Sequence, residues 1–597
     1  MKLDLIVVSG NTPDSSPSVV IQSDDGIYLI NVPDLSQRVL REKKIKFGRI
    51  SGIISTSLHS NSISGFHGLV ITSYNANGKN IPILAPNGME AILQSFKGLH
   101  FQEDLNPLYV EAISDQFLTC NLIPLKESCL ASIKLCDIPG KFQVQKARAL
   151  GIPSGPLFKD LSAGKSITLA DGKVVKPEDV VDPPIPGKRI LIVDCRCFED
   201  ITMLPENCKD YDFVVHFTSI EFILNTDYLS KFSPEQTSIC FPPNGKTTFT
   251  SVTKLYQSMM KVSPSLLAPL ALYDWVSDLS LPPHMIPAEV GMQYTFAPIE
   301  KLGFIKFKAE NVESCEQPKL PNIDSFHLTF MGTGSMYPSK YRCVSGILLH
   351  TKTGYIVLDA GEGFTSQLRR RYGIQNTQQI LNNIKMVWIS HNHGDHVFGL
   401  YQLLQERYNI NSNSIPLICH EAILNHMNTI QSAIGKSLGF RYVSHEEPIT
   451  IDDIVLESIP VNHCEGSLGC VITIDGKRIA YSGDRSIKDD FVQTVGQCDL
   501  LIHEATFGDD LNDTAADKCH STISQAVETS KQLQAKNCIL THFSQRYPKM
   551  PTFDSSLSNV VFAFDYMSLR YEDIQEMCTI CPKIFSMIAE LEEKEDK

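Results

Sequence analysis

Four side chains that bind metal ions well fall within six residues, in the stretch HNHGDH at residues 391–396. His391 and His393 alternate along an extended segment, so both imidazoles can point to the same side of the chain. Asp395 and His396 follow at the predicted turn into a helix. Imidazole and carboxylate ligands together suit Zn²⁺, Mn²⁺ or Fe. A histidine that fills a core explains one such residue but not three with an aspartate among them, so the sequence predicts a metal centre.

One loop of this length cannot complete two metal sites, so further ligands should come from the ends of later strands. His463 follows the apolar run IVLESI, Asp484 ends the run RIAYSGD, and His542 ends the run NCILTH. Each run predicts a short strand, and the ends of such strands meet at one edge of an open α/β sheet. We therefore expect these three side chains to lie beside the HNHGDH loop.

The region around this loop is repeated earlier in the chain in an altered form. Residues 54–66 align without a gap on residues 388–400, which places His59 on His393 but puts serine or asparagine at the other three ligand positions. Further matches follow in the same order: GIYLINVPDL with GYIVLDAGEG, GKRILIVDC with GKRIAYSGD, and YDFVVHFTS with CDLLIHEAT. The chain is therefore predicted to hold two copies of one domain.

The repeat predicts a degenerate copy at residues 1–310, a linker at 311–325 and an intact copy at 326–597. In each copy short apolar runs precede segments of helical periodicity, which is typical of an α/β fold. The first copy also contains an insertion at about 141–188, where eight Lys or Arg residues outnumber five Asp or Glu residues and Gly and Pro are frequent. We predict an extended basic arm there; a long, partly ordered loop is the alternative.

The overall composition restricts the possible partners. The formal net charge of −14 argues against nonspecific binding of nucleic acid, so an RNA partner must meet a local basic feature such as the arm. No apolar run is long enough to span a bilayer, and the N-terminus has the pattern of a strand rather than of a signal or transit peptide. The 17 Cys are scattered except for Cys578 and Cys581, which we interpret as structural thiols of a reducing compartment.

These motifs resemble the metallo-β-lactamase superfamily and, more narrowly, the long-form tRNase Z family, whose members remove 3′ trailers from precursor tRNA. The resemblance covers nearly the whole chain and is carried by LDAGEGFTSQL, by HEAT followed by HST, by HFSQRYPKMP and by GIPSGPLFKDLSAGKSI. It implies two αββα sandwiches in tandem, of which only the second is catalytic. Two positions depart from the family pattern: Cys343 replaces an asparagine in the P-x-K-x-R-N segment, and Arg485 stands where threonine is frequent.

The resemblance also implies a dinuclear zinc site, with Mn²⁺ as an alternative metal. One ion would be bound by His391, His393 and His463 and the other by Asp395, His396 and His542, with Asp484 bridging them. Asp395 would also accept a proton from the attacking water, and Glu504 with His520 would donate one to the leaving oxygen. The residues expected to contact tRNA are Lys340, Arg342 and Arg546 near the site and Gly155, Pro156, Lys159 and Lys165 in the arm.

Two other classes of protein remain open. The first is another RNA hydrolase of the superfamily, although the short interval between Asp484 and His542 leaves no room for the large inserted domain of mRNA 3′-end nucleases. The second is a non-catalytic RNA-binding scaffold, which the first half alone would fit but the complete ligand set of the second half opposes. We expect a monomer whose halves form a pseudo-dimer, in the nucleus or cytoplasm, with the mitochondrion as an alternative.

Overall fold

The computed structural model describes residues 2–99, 104–244, 246–272, 280–305, 312, 318, 320, 325–547, 549–551 and 559–595. The predicted linker at 311–325 lies almost entirely outside these residues, so the domain boundaries stay predictions. No helix in the described part of the chain is long and apolar enough to cross a membrane.

The strands of the first half form two large sheets and one small hairpin. The first sheet has the order β17-β16-β1-β2-β3-β4-β5-β6, the second has the order β15-β14-β13-β12-β9-β8-β7, and β10 pairs with β11. The bounds are β1 (Leu3–Ser9), β2 (Ser18–Ser23), β3 (Ile27–Ile30), β4 (Ile50–Ile54), β5 (Pro82–Leu84), β6 (Leu108–Val110), β7 (Ala112–Ser114), β8 (Leu118–Pro124), β9 (Cys129–Leu135), β10 (Ile167–Thr168), β11 (Val174–Val175), β12 (Arg189–Val193), β13 (Phe213–His216), β14 (Thr237–Cys240), β15 (Met285–Pro287), β16 (Gln293–Ala297) and β17 (Gly303–Ile305).

The strands of the second half form two sheets of seven strands each. Their orders are β23-β22-β21-β20-β19-β18-β31 and β24-β25-β26-β27-β28-β29-β30. The bounds are β18 (His327–Gly332), β19 (Gly346–Thr351), β20 (Gly354–Ala360), β21 (Ile384–Trp388), β22 (Ile415–Ile418), β23 (Phe440–Tyr442), β24 (Ile449–Ile451), β25 (Ile454–Pro460), β26 (Leu468–Ile474), β27 (Lys477–Tyr481), β28 (Leu500–Glu504), β29 (Asn537–Thr541), β30 (Val560–Phe562) and β31 (Ser568–Arg570).

The two halves repeat one topology, except that β17 and the β10–β11 hairpin have no counterpart among the described residues of the second half. In the first sheet of each half, the first three strands pair antiparallel and the next three continue in parallel. In the second sheet, three antiparallel pairs precede three parallel ones. The predicted tandem fold is therefore confirmed.

Helices connect the strands in both halves. Their bounds are α1 (Ser36–Glu42), α2 (Ser60–Ile63), α3 (Phe66–Asn77), α4 (Met89–Phe96), α5 (Val144–Ala149), α6 (Pro156–Ser162), α7 (Pro177–Val180), α8 (Phe198–Thr202), α9 (Ile220–Ile223), α10 (Thr226–Ser230), α11 (Thr250–Val262), α12 (Phe364–Asn382), α13 (Gly394–Val397), α14 (Leu400–Ile410), α15 (Glu421–Ile434), α16 (Phe491–Val495), α17 (Asn512–Asp517), α18 (Ile523–Gln532) and α19 (Ile574–Glu595).

The halves pack against each other through equivalent helices. Helix α2 contacts α14, α3 contacts α13, and α4 contacts α15, so one continuous apolar core runs from the first half into the second. A buried ion pair between Asp14 and Arg370, with 2.8 Å between Oδ2 and Nη1, crosses the same interface. Cys578 and Cys581 are buried on α19 within that core, which agrees with their interpretation as structural thiols.

The arm is a small folded unit. The bridges Ile138–Ile185 and Phe142–Val181 form an antiparallel stalk, and α5, α6, α7 and the β10–β11 hairpin close over an apolar core of their own. The alternative of a partly ordered loop is therefore wrong for this segment. In the second half, β26 and β27 are joined at the same place by Asp475 and Gly476, both with positive φ, which is the backbone of a tight two-residue hairpin turn.

Candidate metal centre

The seven predicted ligands meet at one end of the second sandwich, because each lies in the loop that follows β21, β25, β27 or β29 or, for Asp395 and His396, in the short helix α13 after β21. Their ligand atoms form two groups, and within each group these atoms lie within 4.8 Å of one another. The first group is His391, His393, His463 and Asp484, and the second is Asp395, His396 and His542. The structure thus brings together all seven residues that the sequence predicts.

The first group converges on one ring nitrogen. Nδ1 of His393 lies 2.9 Å from Nε2 of His391 and 3.0 Å from Nε2 of His463. Oδ2 of Asp484 lies 3.7 Å and 3.8 Å from those same Nε2 atoms of His391 and His463. Three imidazole nitrogens and one carboxylate oxygen therefore surround a common point.

The second group shares Asp484 with the first. Oδ2 of Asp484 lies 3.2 Å from Nε2 of His542 and 3.4 Å from Nε2 of His396. Oδ2 of Asp395 lies 3.3 Å from Nε2 of His542. Asp484 thus stands between the two groups, where a bridging ligand would stand.

The outer nitrogens of three histidines show which nitrogen carries the proton. Nδ1 of His463 lies 2.9 Å from the carbonyl oxygen of Cys519, and Nδ1 of His396 lies 2.8 Å from Oδ2 of Asp359. Because these oxygens only accept, each Nδ1 must carry a proton, and in the neutral imidazole each Nε2 then presents a lone pair to the site. Such outer partners orient metal-binding histidines in many proteins.

The protonated nitrogen of His542 is identified by its contact with a hydroxyl group. Its Nδ1 lies 2.8 Å from Oγ1 of Thr506, and that hydroxyl donates to Oε2 of Glu504 at 2.6 Å. The hydroxyl therefore accepts from His542, whose Nε2 then directs a lone pair at the carboxylate of Asp484. Lone pairs and carboxylates that face one another at such distances repel unless a cation lies between them.

The buried carboxylate of Asp484 supports the same reading. Its Oδ1 is buried with no hydrogen-bond partner among the described residues, and an orphaned buried acceptor is costly. Nitrogen and carboxylate donors in this number are those that divalent zinc takes. The residues present therefore fit a divalent metal ion.

The pKa values of the histidines agree with this charge distribution. Burial, with the neighbouring imidazoles, lowers the pKa of His391 well below its usual value, and burial with His463 lowers that of His393 to about 4. Both are therefore neutral, which is the metal-binding form. Burial also acts to lower the pKa of His396, but Asp484 and Asp359 outweigh it and raise this pKa. Carboxylate charge in excess is what a bound cation would neutralise.

Asp359 is a functional residue that sequence reasoning did not assign. It ends β20 with a left-handed φ of 60°, its Oδ1 accepts from the amide of Ser390 at 2.7 Å, and its Oδ2 accepts from the hydroxyl of Tyr481 at 2.7 Å. It thereby fixes both the start of the ligand loop and the ring of His396. The available signal was its place at the end of a strand in LDAGEG.

Glu504 and His520 lie together beside the metal ligands. Nδ1 of His520 is 2.9 Å from Oε1 of Glu504 and 3.9 Å from Oδ2 of Asp484. Burial lowers the pKa of His520, but Glu504 outweighs burial and raises it to about 9. The protonated ring borders a cavity of about 620 Å³ that also contains His393, Asp395 and His542.

Both halves of the chain line this cavity. The first half contributes Gln37, Thr72 and Asn75 from α1 and α3, and the second half contributes Arg546, which is exposed. Lys340 is half-buried on the loop at residues 335–343, which we call the acceptor loop. In the arm, Gly155, Pro156, Lys159 and Lys165 are all exposed.

Arg342 requires a correction, because the structure does not offer it to a substrate. Its side chain is 3% exposed, and it donates to Oγ1 of Thr333 at 2.6 Å and to the carbonyl oxygens of Ala563 and Lys549 at 2.9 and 2.8 Å. Both Nη atoms of the guanidinium are engaged in tying the acceptor loop to its surroundings. Sequence alone could not distinguish this buried arginine from an exposed one.

In the first half, an arginine side chain contacts the residues that align with the metal ligands of the second half. Arg196 donates to Oδ1 of Asn61 at 2.8 Å and to Oγ of Ser62 at 2.9 Å, and its Nε lies 2.8 Å from Oδ1 of Asp194. Burial and the charge of Arg196 lower the pKa of His59 to about 4. The first half thus holds a guanidinium where the second half gathers metal ligands.

Comparisons with known proteins agree with this geometry. A model described as "Beta-lactamase superfamily domain" matches residues 355–543, and one described as "tRNase Z endonuclease" matches residues 6–65. The chain is 28% identical to "Ribonuclease Z, mitochondrial" of Drosophila melanogaster over 98% of this chain and 89% of that protein. It is 24% identical to human "Zinc phosphodiesterase ELAC protein 2" over 98% and 86%. A crystal structure of a long form RNase Z from yeast superposes with a TM-score of 0.77 at 18% identity, over 98% and 100% of the two chains.

The sandwich and the ligand-bearing loops, together with the first of these models, define a metallo-β-lactamase-type hydrolase in the second half. The donor set and this class indicate a divalent metal ion as the cofactor. Over nearly its whole length the chain is similar in sequence to proteins named as ribonuclease Z and zinc phosphodiesterase, and it shares its fold with a long form RNase Z.

Proposed function

We propose that this protein is a zinc-dependent endonuclease that removes the 3′ trailer from precursor tRNA. The products would be a tRNA that ends in a 3′-hydroxyl and a trailer that carries a 5′-phosphate. The observation that supports this most directly is the presence of a full metal-ligand set and the Glu504–His520 pair in one cavity. Relatives named as ribonuclease Z and tRNase Z support the same activity.

The cofactor we propose is a pair of zinc ions, with Mn²⁺ as the alternative. His391, His393 and His463 would hold one ion, Asp395, His396 and His542 the other, and Asp484 both. Bound there, such ions neutralise phosphate charge and make a water molecule more acidic. The word zinc in the name of the human relative favours this metal.

The chain's own residues position and transfer the protons. Oδ2 of Asp395 lies 2.5 Å from the amide nitrogen of Met336, which donates to it, so this carboxylate is fixed at the cavity to orient the attacking water and accept its proton. Glu504 stabilises the protonated form of His520, whose other ring nitrogen then donates to the leaving 3′-oxygen. Thr506 links the two functions, because its hydroxyl contacts both Glu504 and His542.

The tRNA would contact two separate regions. Lys340 on the acceptor loop and Arg546 beside the cavity are placed to meet the acceptor end, whereas Arg342 acts by holding the loop. Exposed residues of the folded arm, Gly155, Pro156 and the basic Lys159 and Lys165, would grip a more distant part of the tRNA. Basic residues in one unit give local phosphate contacts despite the negative net charge.

The organisation of the chain follows from the repeat. We propose a degenerate domain at 1–310, a linker at 311–325 and a catalytic domain at 326–597, which act as a monomer because the paired helices already join both copies. The names of relatives from Drosophila and Arabidopsis include the word mitochondrial, which favours the mitochondrion beside the nucleus or cytoplasm. Fluorescent tagging of either end would decide the compartment.

The direct test is cleavage of a precursor tRNA that bears a 3′ trailer by the pure protein with Zn²⁺ or Mn²⁺. We expect one cut at the 3′ end of the tRNA body and no activity after chelation. Asp395→Ala is the matched inactive control. Cleavage elsewhere, or a tRNA product that ends in a 3′-phosphate, would contradict the proposal, and binding without cleavage would favour the scaffold alternative.

A further inference from the structure

Helix α1 of the first half lies beside the cavity that holds the candidate metal ligands of the second half. Gln37, Arg38 and Arg41 have the spacing i, i+1 and i+4, so they lie on adjoining parts of one helix surface. Arg38 and Arg41 both contact the acceptor loop. The first half therefore touches the segment that carries Lys340.

Arg38 makes the closest of these contacts. It is fully buried, and its Nη2 donates to the carbonyl oxygen of Lys340 at 3.0 Å while its Nη1 donates to Sγ of Cys343 at 2.9 Å. The guanidinium also lies 5.0 Å from the ring centre of Phe249. Arg38 thus holds the loop at two residues, at the main chain of Lys340 and at the side chain of Cys343.

Arg41 supports the same loop one helical turn further on. Its guanidinium carbon lies 4.4 Å from the ring centre of Tyr337, within the range of a favourable cation–π contact. Tyr337 borders the cavity beside the metal ligands. Arg41 is half-buried, so its replacement disturbs the core less than replacement of Arg38.

Helix α1 is itself held firmly. Oε1 of Glu42 accepts from the amide and the hydroxyl of Ser251, both at 2.8 Å, and Oδ1 of Asp34 accepts from the amide of Gly363 at 2.8 Å. The far side of the loop contacts the catalytic end of the molecule, where Nε2 of Gln545 donates to the carbonyl oxygen of Tyr337 at 2.7 Å. The acceptor loop is therefore clamped between α1 and the cavity.

We infer that Arg38 and Arg41 are positioning residues through which the non-catalytic half sets the acceptor loop for recognition of the tRNA 3′ end. The inference rests on the proposed function, because that function gives the loop its substrate. It also gives Cys343 a role, because its sulfur accepts a hydrogen bond from Arg38 at the position where the family pattern has an asparagine side chain.

The test compares Arg38→Met and Arg41→Met with Arg49→Met in the full-length protein. Arg49 is the matched control, since it also donates to main-chain carbonyls, those of Ser23 and Asp24, but these belong to the first half. Two quantities are measured for each variant: the hydrogen-exchange rate of the peptide at 335–343, and KM and kcat for a precursor tRNA with a 3′ trailer.

We expect Arg38→Met to speed exchange of that peptide and raise KM, each about tenfold, because one buried bond to a charged donor is worth about that factor. The value of kcat should fall less than about threefold. Arg41→Met should raise KM about threefold, and Arg38→Lys, which keeps one charged donor, should recover part of the loss. Arg49→Met should behave as the wild type does.

The inference is overturned if exchange and KM in both test variants match those of Arg49→Met. It is also overturned if exchange rises while KM does not, since the loop would then play no part in recognition. If Arg38→Met does not fold, as judged by circular dichroism, Arg41→Met decides. A wild-type protein that leaves precursor tRNA uncut contradicts the proposed function instead, and the exchange rates alone then decide whether α1 positions the loop.

Discussion

The loops after β4 and β21 share a scaffold but differ in what they hold. Asn31 and Asp359 end equivalent strands with left-handed φ values of 58° and 60°. Each accepts a main-chain amide through Oδ1, from Thr56 at 2.9 Å and from Ser390 at 2.7 Å respectively. In the second half this scaffold supports metal ligands, and in the first it supports Arg196.

The difference shows how a metal site can be lost without loss of the fold. A buried carboxylate such as Asp194, 1% exposed, needs a compensating positive charge. That charge belongs to the side chain of Arg196, which forms an ion pair with Asp194. The residues that align with three metal ligands, Ser57, Asn61 and Ser62, are neutral, so this loop needs no metal ion to balance its charge. The first half carries the arm and contacts the acceptor loop through α1.

The largest effect should come from the paired variants Asp395→Ala and Asn61→Ala, which alter the same position in the two loops. Loss of the carboxylate removes the proposed metal ligand and proton acceptor, so single-turnover cleavage should slow by about 10³-fold or more. Asn61→Ala should change the rate less than about twofold. Binding of precursor tRNA, measured by filter retention, should stay within about threefold for both; comparable rates in the two variants would refute the division of labour.

The next largest effect should come from Arg196→Met, which should lower the stability of the first half but not that of the second. It leaves Asp194 buried and unpaired, which costs about 3–5 kcal/mol of unfolding free energy. Denaturant unfolding followed by hydrogen exchange should locate the loss in the first half. Chelation should instead weaken the loops of the second half and leave the first unchanged. Equal responses of both halves to chelation would show that the first half also binds metal.

The arm can be replaced by the two-residue turn that stands at the equivalent place in the second half. Replacing residues 136–187 with Asp-Gly would join β9 to β12 as Asp475 and Gly476 join β26 to β27. Because the arm gathers basic residues in one unit of a chain whose net charge is −14, KM for precursor tRNA should rise about 100-fold and its dependence on salt should weaken. The value of kcat should change only a few-fold. An unchanged KM would remove the arm from tRNA binding.

The sequence predicted the tandem fold and the ligand cluster because both depend on local patterns. The ligands HNHGDH, His463, Asp484 and His542 each end a short apolar strand, and the order of strands fixes where such ends meet. It could not predict the burial of Arg342 or the place of Arg196, since both depend on which distant segments pack around a guanidinium. The arm likewise showed its charge in the sequence but not its own apolar core.

The smallest expected effects come from exchanging the two scaffold residues, Asp359→Asn and Asn31→Asp. The first removes the carboxylate that holds Nδ1 of His396, so zinc affinity, measured by competition with a chromogenic chelator, should fall about 10- to 100-fold. The second places a carboxylate beside the hydroxyl of Thr56, which already donates to Asp194 at 2.6 Å. Because Asn31 is buried, the new carboxylate oxygen would lack a donor, so the first half should lose at least about 1–3 kcal/mol of stability in denaturant unfolding. If Asn31→Asp instead creates measurable zinc binding in the first half, the loss of metal there depends on this strand end rather than on Arg196.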